Sequence, residues 1–150
     1  MSTRIARVLV AETGADMSRF PTAAHLASRA GMCPGNHESA GEHHGRATRR
    51  GDSWLRGAPG EAACAASRTD HTYLQARCRR LAGRRGKQRA LVAVGHGILI
   101  ATWHMITNGI DYNDLGPDYF LTRNGPGRHT RRLVAQHQQL GFRVTLDPAS

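Results

Sequence analysis

Lysine is nearly missing from this sequence. Lys87 is the one lysine among 21 basic residues, and all the others are arginine. A GC-rich coding sequence produces that bias, so the formal net charge of +10 has a compositional source as well as a physical consequence. The consequence is attraction for phosphate backbones and anionic surfaces. Aromatic residues are also scarce, at 5% of the chain. A core must then come from Ala, Leu, Val and Ile, a mixture that favours helices. Cysteine is limited to Cys33, Cys64 and Cys78, an odd number with no C-x-x-C pair. That argues against a disulfide framework and a zinc ribbon, and fits a reducing cytosol. No basic-then-apolar leader opens the chain. The most apolar run, Ala90 to Ile106, is shorter than the roughly 20 residues of a membrane span and contains His96 and His104, so it reads as a buried helix. The 11 acids are scattered, unlike a two-metal nuclease site, and there is no glycine-rich phosphate loop and no internal repeat.

At 150 residues the chain is long enough for one domain with a core. Helix-like segments dominate it. Ile5 to Gly14 reads as a helix stopped by Gly14, with no capping signal ahead of it. A turn over Asp16–Pro21 leads to a second helix over Thr22–Ala30, ended by Gly31. Asp52 is an N-cap for a helix with Trp54, Leu55, Ala58, Ala62 and Ala65 on one face. Gly57, Pro59 and Gly60 lie inside that helix. Together they cost about 5 kcal/mol by propensity, so either the helix breaks at Ala58 or the position is weakly selected. Thr69-Asp70 caps the next helix, whose apolar seam is Leu74, Cys78 and Leu81. Ala90–Asn108 is apolar nearly all round and is expected as the central helix, with His96 and His104 packed in the core or facing a helix seam. Asp111–Phe120 reads as an ordered loop with aromatic anchors. Arg128–Leu140 reads as an amphipathic helix with Leu133, Val134, His137 and Leu140 inward, and Phe142–Leu146 as one short strand. The fold class expected is mainly α: a compact helical domain with a remnant of a helix-hairpin-helix at the N-terminus, a long polar loop, and at most one or two short strands.

Chemistry concentrates in two places. The first is the polar stretch Cys33–Gly51, with Ser39, His37, His43, His44, Arg46, Arg49 and Arg50. Asn36–Gly41 within it is a short strand or an extended turn. A serine hydroxyl needs a base or local positive charge before it attacks, and histidines and arginines supply both. Without a G-x-S-x-G elbow, chemistry alone leaves Ser39 an ordinary loop serine. Cys33, His37, His43 and His44 are possible metal ligands, but their spacing matches no common zinc pattern. The second place is the run Arg77, Arg79, Arg80, Arg84, Arg85, Lys87 and Arg89, which contains no acid. It reads as a phosphate-binding face or as a solvated, snorkelling one.

Several motifs in register carry a family resemblance. They are Phe20-Pro21-Thr22-Ala23-Ala24-His25-Leu26-Ala27, Ala30-Gly31-Met32-Cys33-Pro34, Glu38-Ser39-Ala40-Gly41, Arg49-Arg50-Gly51 and Trp54-Leu55-Arg56. They continue through Arg84-Arg85-Gly86-Lys87, Ala93-Val94-Gly95-His96, Leu115–Phe120 and Gly141–Leu146. In these the chain resembles the C-terminal domain of the insertion-sequence-one-hundred-ten transposases, the bridge-RNA-guided serine recombinases related to the pilin-inversion invertases. The resemblance implies that residues 1–150 are the serine-bearing C-terminal domain and that Ser39 is the nucleophile forming a phosphoserine–DNA link. It also implies DNA and guide RNA as partners, with Arg46, Arg49, Arg50 and the Arg77–Arg89 run as nucleic-acid-binding residues. Other copies of the family are expected as partners, and no membrane. The location expected is the bacterial cytoplasm, at the nucleoid. The family's carboxylate tetrad and its divalent metal, magnesium, belong to an N-terminal nuclease domain. No cofactor is expected in this chain, which alone would be inactive. Missing tetrad, Glu42-His43-His44 after the serine, Pro59 in a helix, and Gly95 and Gly97 are departures that suggest a truncated, decaying copy. Alternatives are a non-catalytic nucleic-acid-binding remnant and a small metal-binding module.

Overall fold

The computed structural model describes residues 2–33, 38–39, 42–43, 51–123 and 125–147. The order is α1 (Thr3–Thr13), a 3-10 turn (Met17–Arg19), α2 (Ala23–Arg29), β1 (Glu38–Ser39), β2 (Glu42–His43), α3 (Ser53–Ala66), α4 (Tyr73–Arg85), α5 (Lys87–Asn108), α6 (Tyr119–Thr122) and α7 (Pro126–Gln139). The protein is mainly helical, as its composition implies. The helices α1 and α2, joined by the 3-10 turn, occupy the segment expected as a helix-hairpin-helix remnant.

Local chemistry sets the helix ends. The Ser2 side chain accepts from Ile5 N–H at 3.4 Å, so α1 does have a capping residue, contrary to the sequence reading. Gly14 ends α1 in the left-handed region, at φ 69°. Asp52 Oδ1 accepts from both Trp54 N–H and Leu55 N–H at 3.0 Å, a cap worth about 1 kcal/mol. The α4 cap is Thr72, whose hydroxyl accepts from Gln75 N–H at 3.2 Å, and not Thr69-Asp70. Asp70 instead accepts from Gln75 Nε2 at 2.6 Å. Asp114 Oδ1 reaches Tyr73 N–H at 2.9 Å, so a loop carboxylate satisfies a free donor of the first turn of α4.

The centre of the fold is α5, which packs against α2, α3 and α4. Its buried residues are Ala90, Val94, Gly95, Ile98, Leu99 and Thr102. Of these, Ala90, Val94, Ile98 and Leu99 join Leu9, Leu26, Leu55, Met32 and Cys78 in one core. Trp103 Nε1 donates to Phe20 O at 2.8 Å and ties α5 to the start of α2. At 22 residues α5 exceeds the expected Ala90–Asn108 span and is by length and composition able to cross a membrane, so the length argument made from the sequence does not hold. His96 is half-buried, whereas His104 is exposed, its ring edge-on to Trp103 at 5.0 Å. The core position expected for His104 is therefore wrong, because α5 is covered on only part of its circumference.

Three other expectations need correction. The helix α3 runs unbroken through Gly57, Pro59 and Gly60. Its buried face is Leu55, Ala58, Pro59, Ala62 and Ala63, with Trp54 67% exposed and Ala65 exposed. The face has rotated because Pro59, not Trp54, meets α5. Among the described residues of α7 none is buried, and its stripe is outward: Leu133 is 42% and Leu140, just past its end, 72% exposed. Residues 142–146 form no strand, since no strand among the described residues lies beside them to supply hydrogen-bond partners.

Candidate nucleic-acid interface

The residues that flank the Ser39 stretch on its two sides meet at one point, the end of α2. Gly31, in the left-handed region at φ 64°, turns the chain out of α2. Met32 N–H donates to Ala27 O at 3.0 Å. On return, Asp52 N–H donates to Arg29 O at 3.1 Å, and the Gly51 main chain lies against Ala30 and Gly31. A Cβ on Gly51 would collide with Gly31 N and the Ala30 carbonyl. The polar stretch is thus anchored at its base between the end of α2 and the cap of α3. Sequence reasoning missed this role of Gly51; the signal was a glycine directly before a capping aspartate.

Within the stretch, β1 and β2 pair antiparallel, with Glu38 opposite His43 and Ser39 opposite Glu42. The strand alternative for Asn36–Gly41 is therefore realised at Glu38–Ser39. His37, His44, Arg46, Arg49 and Arg50 lie outside the described residues. Cys33 Sγ is 3.8 Å from Ala24 O, to which it donates. Among the described residues no three His, Cys, Asp or Glu side chains group so as to hold a metal ion. The divalent metal implied by the family resemblance therefore has no fitting donor set among them.

The basic run divides by environment. Arg77 is half-buried, and its guanidinium lies on α5, where a Cβ built on Gly97 would sit 2.6 Å from Nη1. Arg79 is 3.6 Å from Asp70, an exposed pair of small energetic value. The Arg80 guanidinium lies over the Phe120 ring at 5.1 Å. Phe120 also stacks on Tyr73 at 5.2 Å, and Tyr119 meets Tyr73 edge-on at 5.2 Å, so the expected aromatic anchors join the loop to α4. Arg84, Arg85, Lys87 and Arg89 are exposed at the α4–α5 corner, around Gly86 at φ 82°. None of these four has an ion pair among the described residues. Concentrated uncompensated charge of this kind attracts phosphate. Arg128, Arg131 and Arg132 add further exposed cations on α7.

Two titrating groups are perturbed beside Arg77. Burial, followed by the Arg77 charge, lowers the His96 pKa below the ordinary imidazole value. Burial, followed by the charge of Asp114, raises that of Tyr112.

Residues 1–79, just over half of the chain, match the family model described as Transposase IS116/IS110/IS902 family. The chain belongs to this transposase family. The matched part runs from α1 into α4 and includes Ser39 and the anchored stretch around it. The resemblances noted at Arg84–Lys87, Ala93–His96, Leu115–Phe120 and Gly141–Leu146 lie beyond it. No curated protein and no solved structure matches the chain.

Proposed function

We propose that this chain serves DNA transposition by site-specific recombination, with Ser39 as the nucleophile. Membership of the transposase family over a segment that contains Ser39 carries this reading. The Ser39 hydroxyl oxygen bonds to a DNA phosphorus, and the bond from that phosphorus to the bridging oxygen of the departing strand breaks. The departing strand leaves as a hydroxyl after taking up a proton. The serine proton passes to a base, for which His37, His43 and His44 are the candidates close in sequence. The phosphoserine link holds the phosphodiester energy until the strand is rejoined. Arg46, Arg49 and Arg50 neutralise the charge that develops on the phosphate. The Arg77–Arg89 run holds DNA and guide RNA. Residues 1–150 act as a serine-bearing domain alongside a separate carboxylate-bearing nuclease domain, at the bacterial nucleoid and with other copies of the family.

The test is a protein–DNA adduct that survives denaturation, formed when the nuclease domain is supplied in trans with guide RNA and target. Ser39→Ala abolishes the adduct and leaves nucleic-acid binding intact. An adduct from Ser39→Ala overturns the assignment. The four exposed cations at the α4–α5 corner favour a second reading, a non-catalytic nucleic-acid-binding protein. It expects binding without an adduct from the native chain.

A further inference from the structure

Between α3, α4 and α5 lies a cavity of about 440 Å³. Its volume falls within the roughly 300–1,000 Å³ of small-ligand sites. Its walls are mostly apolar, including Ala62, Leu74, Ile98, Ala101 and Met105, and Tyr73 and Tyr112 also line it. Arg77 lines it too, with its guanidinium on the bare backbone of Gly97. Among the described residues Arg77 has neither a hydrogen bond nor an ion pair. This contrasts with Arg79 on Asp70 and Arg80 on Phe120, both nearby on the same helix.

A half-buried guanidinium with no hydrogen bond or ion pair among the described residues has donors free for an acceptor in the cavity, where Tyr112 and Asp114 are its polar neighbours. Its planar fork of donors suits two adjacent acceptors in one plane. The apolar walls suit a flat, weakly polar ring system. The Hoogsteen edge of guanine, with O6 and N7, meets both demands. Glycine at position 97 is what lets the fork lie so close to α5, since any side chain there would displace it.

We infer that the α3–α4–α5 cavity receives an unstacked guanine base from a nucleic-acid strand, with Arg77 binding its O6/N7 edge. The inference rests on the proposed nucleic-acid-binding function and adds a base-binding site to it. An unpaired base, free of its duplex neighbours, offers its faces to the apolar walls and its edge to Arg77. It assigns Arg77 a task different from that of the exposed cations at the α4–α5 corner.

The test is amide chemical-shift mapping of the full chain titrated with GMP, with dGMP, and with ribose 5-phosphate. GMP is expected to shift the Gly97, Ala101 and Tyr73 amides saturably, and ribose 5-phosphate to leave them in place. Comparison of GMP with dGMP tells an RNA source from a DNA source. Arg77→Gln and Ala101→Phe are each expected to weaken the GMP titration at least tenfold. The spectrum of each variant reports its fold directly, and Arg77→Gln, at a partly exposed position, keeps the test decisive if Ala101→Phe disturbs packing. Equal shifts with ribose 5-phosphate, no shifts with GMP, or an unchanged titration in Arg77→Gln would overturn the inference. A 20-nucleotide single strand, followed by fluorescence anisotropy, separates the two readings. Binding of that strand without GMP shifts overturns the cavity assignment and leaves nucleic-acid binding standing. GMP shifts without strand binding overturn the nucleic-acid function, and with it a strand as the source of the base.

Discussion

Gly95 of α5 lies against the main chain of Pro59 in α3. A Cβ built on Gly95 would stand 3.1 Å from the Pro59 carbonyl oxygen and 2.7 Å from Met32 Cε. Two residues that helix propensity disfavours therefore meet at one helix crossing. The close approach gives Gly95 a packing reason, and it is the Pro59 main chain that makes it. Gly95→Ala should overpack the crossing and destabilise by about 1–3 kcal/mol. Gly57→Ala and Gly60→Ala place a Cβ in open space and should stabilise by about 0.5–1 kcal/mol each. Thermal unfolding checks the contrast, at roughly 2–4 °C per kcal/mol for a chain of this size. A stabilising Gly95→Ala would show that the crossing has room for a methyl group.

Gly51→Ala should be among the most damaging small substitutions. Its methyl meets backbone, the Gly31 nitrogen and the Ala30 carbonyl, not the end of a flexible side chain. The helix end or the returning chain must move, and the Asp52 N–H to Arg29 O bond lies beside it. The expected outcome is a lower melting temperature together with loss of the DNA adduct. Hydrogen exchange should show reduced protection at the Asp52 amide.

Replacing Arg84, Arg85, Lys87 and Arg89 by Gln keeps helix propensity nearly constant while removing charge. Affinity for duplex DNA should fall. The slope of log K against log salt should shrink by about 0.9 for each residue that contacted a phosphate. Anisotropy titrations at several salt concentrations measure it. Removing Arg128, Arg131 and Arg132 from α7 is the matched control and should alter the slope less.

Stability should decline as pH falls through the histidine range. The folded-state pKa of His96 is lowered, first by burial and then by Arg77, so the unfolded chain binds the proton more readily. The contribution is complete above the ordinary imidazole pKa of about 6.5 and is lost as pH drops toward the lower folded value. His96→Gln should flatten this limb of the stability–pH curve. Denaturant unfolding at pH values between about 5 and 8 checks it, and an unchanged limb would point to other groups.

Much of the fold was legible because helices are specified locally. Gly14 and Gly109 stop α1 and α5 where expected, and Asp52 caps α3. The central place of α5 followed from its apolar circumference. Cys78 and the flanking Leu74 and Leu81 turn toward the core as the seam of α4 implies. The reading failed where partners decide. Period alone put Leu133 and Leu140 inward, but a stripe is buried only if another element covers it. Periodicity likewise favoured Trp54 over Pro59 for the buried face of α3. The run Arg77–Arg89 looked uniform as a string, yet packing gave three arginines separate surroundings and left four cations at a corner.

The sequence by itself determined the helical class, the stops of α1 and α5, the Asp52 cap and the family, because caps, propensities and motifs act over a few residues. Only the tertiary structure decided which glycines sit at close approaches and which face open space. Pro59 and Gly95 meet, Gly51 closes the base of the Ser39 stretch, and Gly97 carries Arg77 into a cavity, whereas Gly57 and Gly60 touch nothing. The physical reason is that steric approach between segments distant in the chain has no signature in local spacing. It is set by how close two backbones come once the core has formed.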